Sequence, residues 1–148
     1  MGFECFTYEQ LKKATKNFCE EIGSGGFGAV YRGVLGDGRV AAVKRLEGVS
    51  QGEAEFWAEV SIIGRINHRN LVKMWGFCVE KKQRMLVYEC LENGSLDKFL
   101  FSDSNNPLEW TKRFDIALGT TKGLACLHEE CLEWILHCDI KSQNIYTP

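Results

Sequence analysis

The sequence has little to mark a polyanion binder or a membrane-spanning chain. Its 148 residues carry 18 Lys plus Arg against 20 Asp plus Glu, and a formal net charge of -2 lacks the concentrated positive field that nucleic-acid binders present. Nucleic acid is therefore not an expected partner. No apolar run approaches the roughly 20 residues needed to cross a bilayer. The start, MGFECF, has neither the basic flank nor the apolar core of a secretory signal, which predicts a cytoplasmic chain. The seven Cys include no CxxC pair, so free, mostly buried thiols are expected rather than a disulfide framework. Cys126, His128, Cys131, His137 and Cys138 are zinc-ligand types, but their spacings follow no familiar zinc pattern. Gly2 does not make a myristoylation signal, because Phe6 stands where that motif needs Ser or Thr. Internal repeats and low-complexity tracts are also missing.

With 45% of its residues hydrophobic, the chain has enough apolar material for one sizeable core and predicts a single globular unit. Thr7 followed three residues later by Gln10 is a capping box, predicting a short helix through Leu11 and Ala14 to about Asn17. From Phe18 the pattern turns extended. One strand ends near Ile22, a glycine cluster follows, and strands over 29–35 and 39–46 flank a turn at Gly36-Asp37-Gly38. Alternation puts Val40, Ala42, Lys44 and Leu46 on one face.

Residues 52–66 have helical period, with Phe56, Val60, Ile62, Ile63 and Ile66 in one stripe. Glu59 falls inside that stripe. A carboxylate there is costly without a cation or hydrogen-bond donors, so Glu59 predicts a partner, with Glu55 at the stripe's edge as the second choice. Segments 71–79 and 84–88 complete a five-stranded, mostly antiparallel sheet. Asn93-Gly94 then marks a turn and Ser95 the N-cap of a short helix to about Phe101. A longer helix follows over 110–128, with Phe114, Ala117, Leu118, Leu124, Ala125 and Leu127 as its apolar members.

Gly23-Ser24-Gly25-Gly26-Phe27-Gly28 fits GxGxxG, a pattern that says little alone in a chain of 15 glycines. A dinucleotide site needs a helix directly after it, whereas 29–34 is β-like. A Walker loop needs Gly-Lys-Ser/Thr, which is absent. Two readings remain: an ordinary glycine-rich hairpin, or a flap whose bare backbone amides approach phosphate oxygens.

Three further features occur in order, and together they resemble the protein kinases. Lys44, in Ala41-Ala42-Val43-Lys44, is similar to the strand lysine that contacts ATP phosphates, and Glu59 to the helix glutamate that pairs with it. His137-Cys138-Asp139-Ile140-Lys141-Ser142-Gln143-Asn144 follows the catalytic-loop order H-x-D-x-x-x-x-N. FTYEQLKKATKNF, INHRNLVKMWGFC, LVYECLENGSLDKFLF and GLACLHEECLEWILHCDIK resemble the plant receptor-like serine/threonine kinases of the S-domain, lectin class. The likeness runs from Phe6 to Ile145.

The resemblance implies an α+β, protein-kinase-like fold: a complete N-lobe, with a five-stranded antiparallel sheet plus the αC helix, and a partial helical C-lobe. It implies a juxtamembrane-like lead-in over 1–17, the N-lobe and hinge over 18–91 and the partial C-lobe over 92–148. The implied activity is transfer of the γ-phosphoryl of ATP, with Mg2+, to protein Ser or Thr hydroxyls. Ile22, Gly23, Gly25, Gly28, Val30 and Ala42 would line the nucleotide site beside Lys44. Tyr88 would be the gatekeeper, with Glu89 and Leu91 offering backbone groups to adenine. Asp139 would accept or orient the substrate proton, Lys141 would neutralise the phosphoryl group, and Asn144 would hold magnesium.

Cys138 stands where many kinases carry Arg, so the resemblance is to kinases that work without pairing that Arg to a phosphorylated activation loop. The sequence ends at Pro148 before any Asp-Phe-Gly, activation or Ala-Pro-Glu segment, and Tyr146 replaces an apolar residue of the adenine pocket. These departures predict weak or absent kinase activity for the chain as given. The alternative is a non-catalytic, pseudokinase-like module that binds a nucleotide or a partner. Expected partners are ATP and a protein substrate or another kinase chain, with membrane contact only indirect. Members of this class are plasma-membrane receptors with the kinase domain on the cytoplasmic side.

Overall fold

Thr7 caps the first helix as its spacing from Gln10 predicts. The Gln10 N–H donates to Thr7 Oγ1 at 3.1 Å, and the Thr7 N–H donates to Gln10 Oε1 at 2.8 Å. The computed structural model describes residues 2–25, 28–48, 52–102, 107–130 and 140–147. They form two units, Met1–Asn67 with Val72–Cys90, and His68–Leu71 with Leu91–Pro148. Length and composition predict one.

The first unit runs β1 (Glu4–Cys5), α1 (Tyr8–Ala14), β2 (Glu21–Gly25), β3 (Gly28–Val34), β4 (Val40–Leu46), α2 (Glu53–Ile62), β5 (Met74–Glu80) and β6 (Gln83–Glu89). Its sheet has six strands in the order β1-β5-β6-β4-β3-β2. The five predicted strands pair antiparallel. The sixth, β1, comes from the lead-in and lies parallel to β5. Two residues are too few to show a strand period.

Helix α1 also stops at Ala14, short of the predicted Asn17. The Thr15 hydroxyl donates to the Leu11 carbonyl at 2.8 Å and accepts the Phe18 N–H at 3.1 Å. These side-chain bonds compete with the helical ladder. The chain turns left-handed over Lys16, Asn17 and Phe18, with φ of 49°, 61° and 56°.

Both faces of the sheet are covered, which is why β4 is apolar along most of its length rather than alternating. On one face Ala41, Val43, Met85, Val87 and Cys78 pack with Phe6, Leu11 and Leu35. Helix α1 lies on β3 at Gly33, where a Cβ would stand 3.1 Å from the Ala14 carbonyl oxygen. On the other face Met74 and Leu86 pack against Phe56 and Val60 of α2. Burying such side chains contributes about 1.5–3 kcal/mol each. Helix α2 needs this, because it is ten residues long and Gly52 gives it no side-chain N-cap. An ion pair of Arg84 with Glu53 at 2.9 Å adds to its first turn.

In the second unit α3 (Asp97–Leu100) begins later than predicted. Leu96 occupies the N-cap position, and the Ser95 hydroxyl bonds to the Asp97 side chain instead of capping. Helix α4 (Trp110–Ala125) continues into one π-helical turn, Cys126–Glu130. A Cβ at Gly123 would lie 2.9 Å from the Asn70 carbonyl oxygen. Of the predicted apolar members Leu127 is buried, while Phe114 and Leu118 are exposed together with Trp110. The last three form an open stripe at four-residue spacing. The short turn Ser142–Asn144 is followed by a return to the start of this unit. Leu96 N–H donates to the Ile145 carbonyl at 2.7 Å, and both the N–H and the hydroxyl of Thr147 donate to the Gly94 carbonyl at 3.0 Å.

Among the described thiols Cys78 and Cys126 are buried, Cys90 is half-buried, and Cys5 and Cys19 are exposed. The expectation of mostly buried thiols is thus met only in part. Burial pushes the Cys78 thiol up to about 11, which leaves it inert at neutral pH.

Candidate active site

The glycine cluster joins two antiparallel strands. Gly25 pairs with Gly28, Ser24 with Ala29 and Gly23 with Val30, while Gly26 and Phe27 lie outside the described residues. A strand on each side removes the dinucleotide-type reading, which needs a helix. Gly28 has φ of +139°, and a Cβ there would lie 2.0 Å from the Arg45 carbonyl oxygen. Only glycine fits.

Register carries this edge of the sheet to the centre. Val30 pairs with Lys44, Lys44 with Leu86, and Ala42 with Tyr88. Val30, Ala42, Lys44 and Tyr88 therefore share the face on which α2 lies. Ile22, at the irregularity in the β2 ladder, is exposed.

From α2, Glu59 reaches this face and finds the partner its place in the stripe demands. Lys44 Nζ is 3.3 Å from Glu59 Oε2, and the Tyr88 hydroxyl donates to Glu59 Oε1. Glu55 points to solvent. Both members of the ion pair keep 28% of their side-chain surface exposed, and such pairs contribute about 0–1 kcal/mol. Packing by Phe56 and Val60 outweighs that, so the pair fixes the position of an ammonium group more than it stabilises the helix.

Tyr88 as a ligand of Glu59 is absent from the sequence reading, which gives it only a gatekeeper role. Alternation in β6 puts Leu86 and Tyr88 on one face, but the pairing of Leu86 with Lys44, which brings the hydroxyl to Glu59, is set by strand register.

At the end of β6 the backbone donors are mostly committed. Glu89 N–H donates to the Lys73 carbonyl at 2.9 Å and Cys90 N–H to the Val40 carbonyl at 3.2 Å. The Glu89 carboxylate accepts the Lys73 N–H at 2.8 Å. The Leu91 carbonyl accepts Gly94 N–H at 3.0 Å. Among the described residues the Leu91 N–H makes no hydrogen bond.

In the second unit Lys141 and Asn144 are exposed at either end of one turn, with Asn144 N–H donating to the Lys141 carbonyl at 2.9 Å. His137, Cys138 and Asp139 lie outside the described residues, as does Cys131 of the zinc-type grouping. The structure thus brings together Val30, Ala42, Lys44, Glu59 and Tyr88, and places Lys141 and Asn144 on a separate turn. Among the described residues no helix is long and apolar enough to cross a membrane.

The family model of the protein kinase domain matches residues 17–147. The chain belongs to the protein kinase family. Its curated relatives include the putative receptor protein kinase ZmPK1 of Zea mays, 57% identical over 97% of this chain and 18% of that protein. Two G-type lectin S-receptor-like serine/threonine-protein kinases of Arabidopsis thaliana, At1g34300 and SD2-5, are 56% and 55% identical over 95% of this chain and 17% of each. The kinase chain spans less than a fifth of the length of these relatives. The solved structure of an apo pseudokinase, GRMZM2G135359, superposes with a TM-score of 0.88 at 23% identity, over 99% of this chain and 55% of that one. The α+β protein-kinase fold is therefore shown, with one more strand than the five expected. Kinases of this family use ATP and Mg2+.

Proposed function

We propose that this kinase domain binds ATP with Mg2+ and transfers the γ-phosphoryl to Ser or Thr hydroxyls of a protein. The observation that carries the reading is Glu59 gripped by Lys44 and Tyr88 on the face reached from the glycine hairpin. ATP would supply the phosphoryl group and Mg2+ the countercharge. Lys44, kept in place by Glu59, would hold phosphate oxygens, and the backbone amides around Gly23, Gly25 and Gly28 would take up further charge. By the family resemblance, Ile22, Val30 and Ala42 would give adenine an apolar surface, and backbone groups of Glu89 and Leu91 would meet its edge. Asp139 would orient the attacking hydroxyl and take its proton, Lys141 would neutralise the moving phosphoryl, and the Asn144 amide oxygen suits Mg2+.

The relatives are named as receptor or receptor-like kinases, and we infer from that class a place on the cytoplasmic side of a plasma-membrane receptor, with membrane contact only through the rest of such a protein or its partners. A second reading, a pseudokinase-like module that binds a nucleotide or another kinase chain, is favoured by the open stripe Trp110, Phe114 and Leu118 on α4.

A thermal melt of the chain with saturating ATP and Mg2+ tests the proposal. At about 100 times Kd the stabilisation is about 2.7 kcal/mol, a rise of about 5–10 °C. Lys44→Ala should abolish the rise. No rise in the unaltered protein would defeat the nucleotide reading. A rise without phosphate transfer to a protein substrate would select the second reading, and transfer lost in Asp139→Asn would carry the first through to catalysis.

A further inference from the structure

The lead-in does more than lengthen the sheet. Phe3, just ahead of β1, lies on Phe77 with ring centroids 5.6 Å apart. It also covers Gly64, where a Cβ would lie 2.8 Å from the ring. Gly64 belongs to the turn Ile63–Arg65, which follows α2 without a break, and the Ile63 N–H donates to the Glu59 carbonyl. Phe77 meets Phe56 and Trp57 of α2 edge-on, at 6.2 Å and 5.9 Å. Two routes of contact thus run from Phe3 to the helical turn that carries Glu59.

The seat for this segment is built, because Gly76 lets the Glu4 carbonyl oxygen come within 2.0 Å of where a Cβ would be. Phe6 N–H donates to the Phe77 carbonyl at 2.8 Å, and Arg39, over the Trp75 ring at 4.7 Å, pairs with Glu4 at 3.0 Å. The hold is nevertheless slight. The strand is two residues long at a sheet edge, Phe3 is 44% exposed, and a cavity of about 270 Å³ opens between Phe3, Gly64, Met74 and Trp75.

We propose that Phe3 is a positioning residue. Docked, the strap of residues 2–6 holds α2 where Glu59 meets Lys44 and Tyr88; undocked, it frees α2 and opens the ion pair. The consequence for the nucleotide rests on the function proposed above.

Amide hydrogen exchange on the full chain, alongside the ATP melt, tests it. In Phe3→Ala the α2 amides should exchange about tenfold faster while those of β6 keep their rates, and the ATP-dependent rise should shrink. Phe3→Leu should restore both. Gly64→Ala pushes the ring aside without deleting it and should reproduce the faster α2 exchange. Unchanged α2 exchange in both variants overturns the proposal, and so does equal acceleration in α2 and β6, which marks a general packing role. If the unaltered protein shows no ATP-dependent rise, the nucleotide reading fails, and exchange alone still decides the strap.

Discussion

Glu59 has two carboxylate oxygens and a different partner on each, a cation from β4 and a phenol from β6. Removing the phenol leaves the ion pair but frees one oxygen to swing. Tyr88→Phe should therefore lower stability by about 1 kcal/mol and weaken ATP binding about three- to tenfold, short of the complete loss expected for Lys44→Ala. Calorimetric titration of both variants checks the order, and equal affinity in Tyr88→Phe and the unaltered chain would show that the hydroxyl is idle. Glu59 itself was legible in the sequence, because a carboxylate amid Phe56, Val60 and Ile63 has to be explained. The hydroxyl bond was not, since it depends on which residue of β6 stands opposite which residue of β4.

At the scale of elements, α2 is tied at its first turn by Glu53. Its carboxyl is held below the ordinary glutamate range, first by hydrogen bonds from Arg84 and then by Trp57. A lowered folded-state pKa means that the contact stabilises fully above the unfolded value of about 4.3 and fades as pH falls through the folded value. The stability gap between the unaltered protein and Glu53→Gln should accordingly be flat near neutrality and close below about pH 4 in urea titrations. A gap unchanged from neutrality to about pH 3 would show that Glu53 titrates as in the unfolded chain. Most elements could be read from period and punctuation, as the β2–β3 and β3–β4 hairpins and α2 show. The errors fall where a side chain or a distant strand decides. Thr15 ends α1 early through its own hydroxyl, and β1 exists only because Gly76 leaves room for it.

For the whole molecule, the ordered motifs led to the kinase fold, which family matching and structural likeness both show. Composition gave no sign of the division into two units, because the apolar share of a chain does not tell how its cores are partitioned. The pairing of Lys44 with Glu59 was legible because both carry unusual chemistry in a fixed order, whereas residues 137–139 of the H-x-D-x-x-x-x-N run lie outside the described residues.

The structural role of the lead-in bears on how such chains are cut for study. The kinase family match starts at residue 17, yet Phe6 and Leu11 sit in the same core as the fully buried Ala41, Val43 and Val87. A fragment of residues 17–148 would leave that face of the sheet open to water. Losing the Leu11 side chain alone should cost about 2–5 kcal/mol, a large part of the about 5–15 kcal/mol that holds a domain together. Urea unfolding of the fragment beside the full chain should show the loss, and matching midpoints would assign α1 no share in stability. Recombinant libraries trimmed at the family boundary would then score chains of this kind as insoluble for want of a segment lying outside the recognised domain.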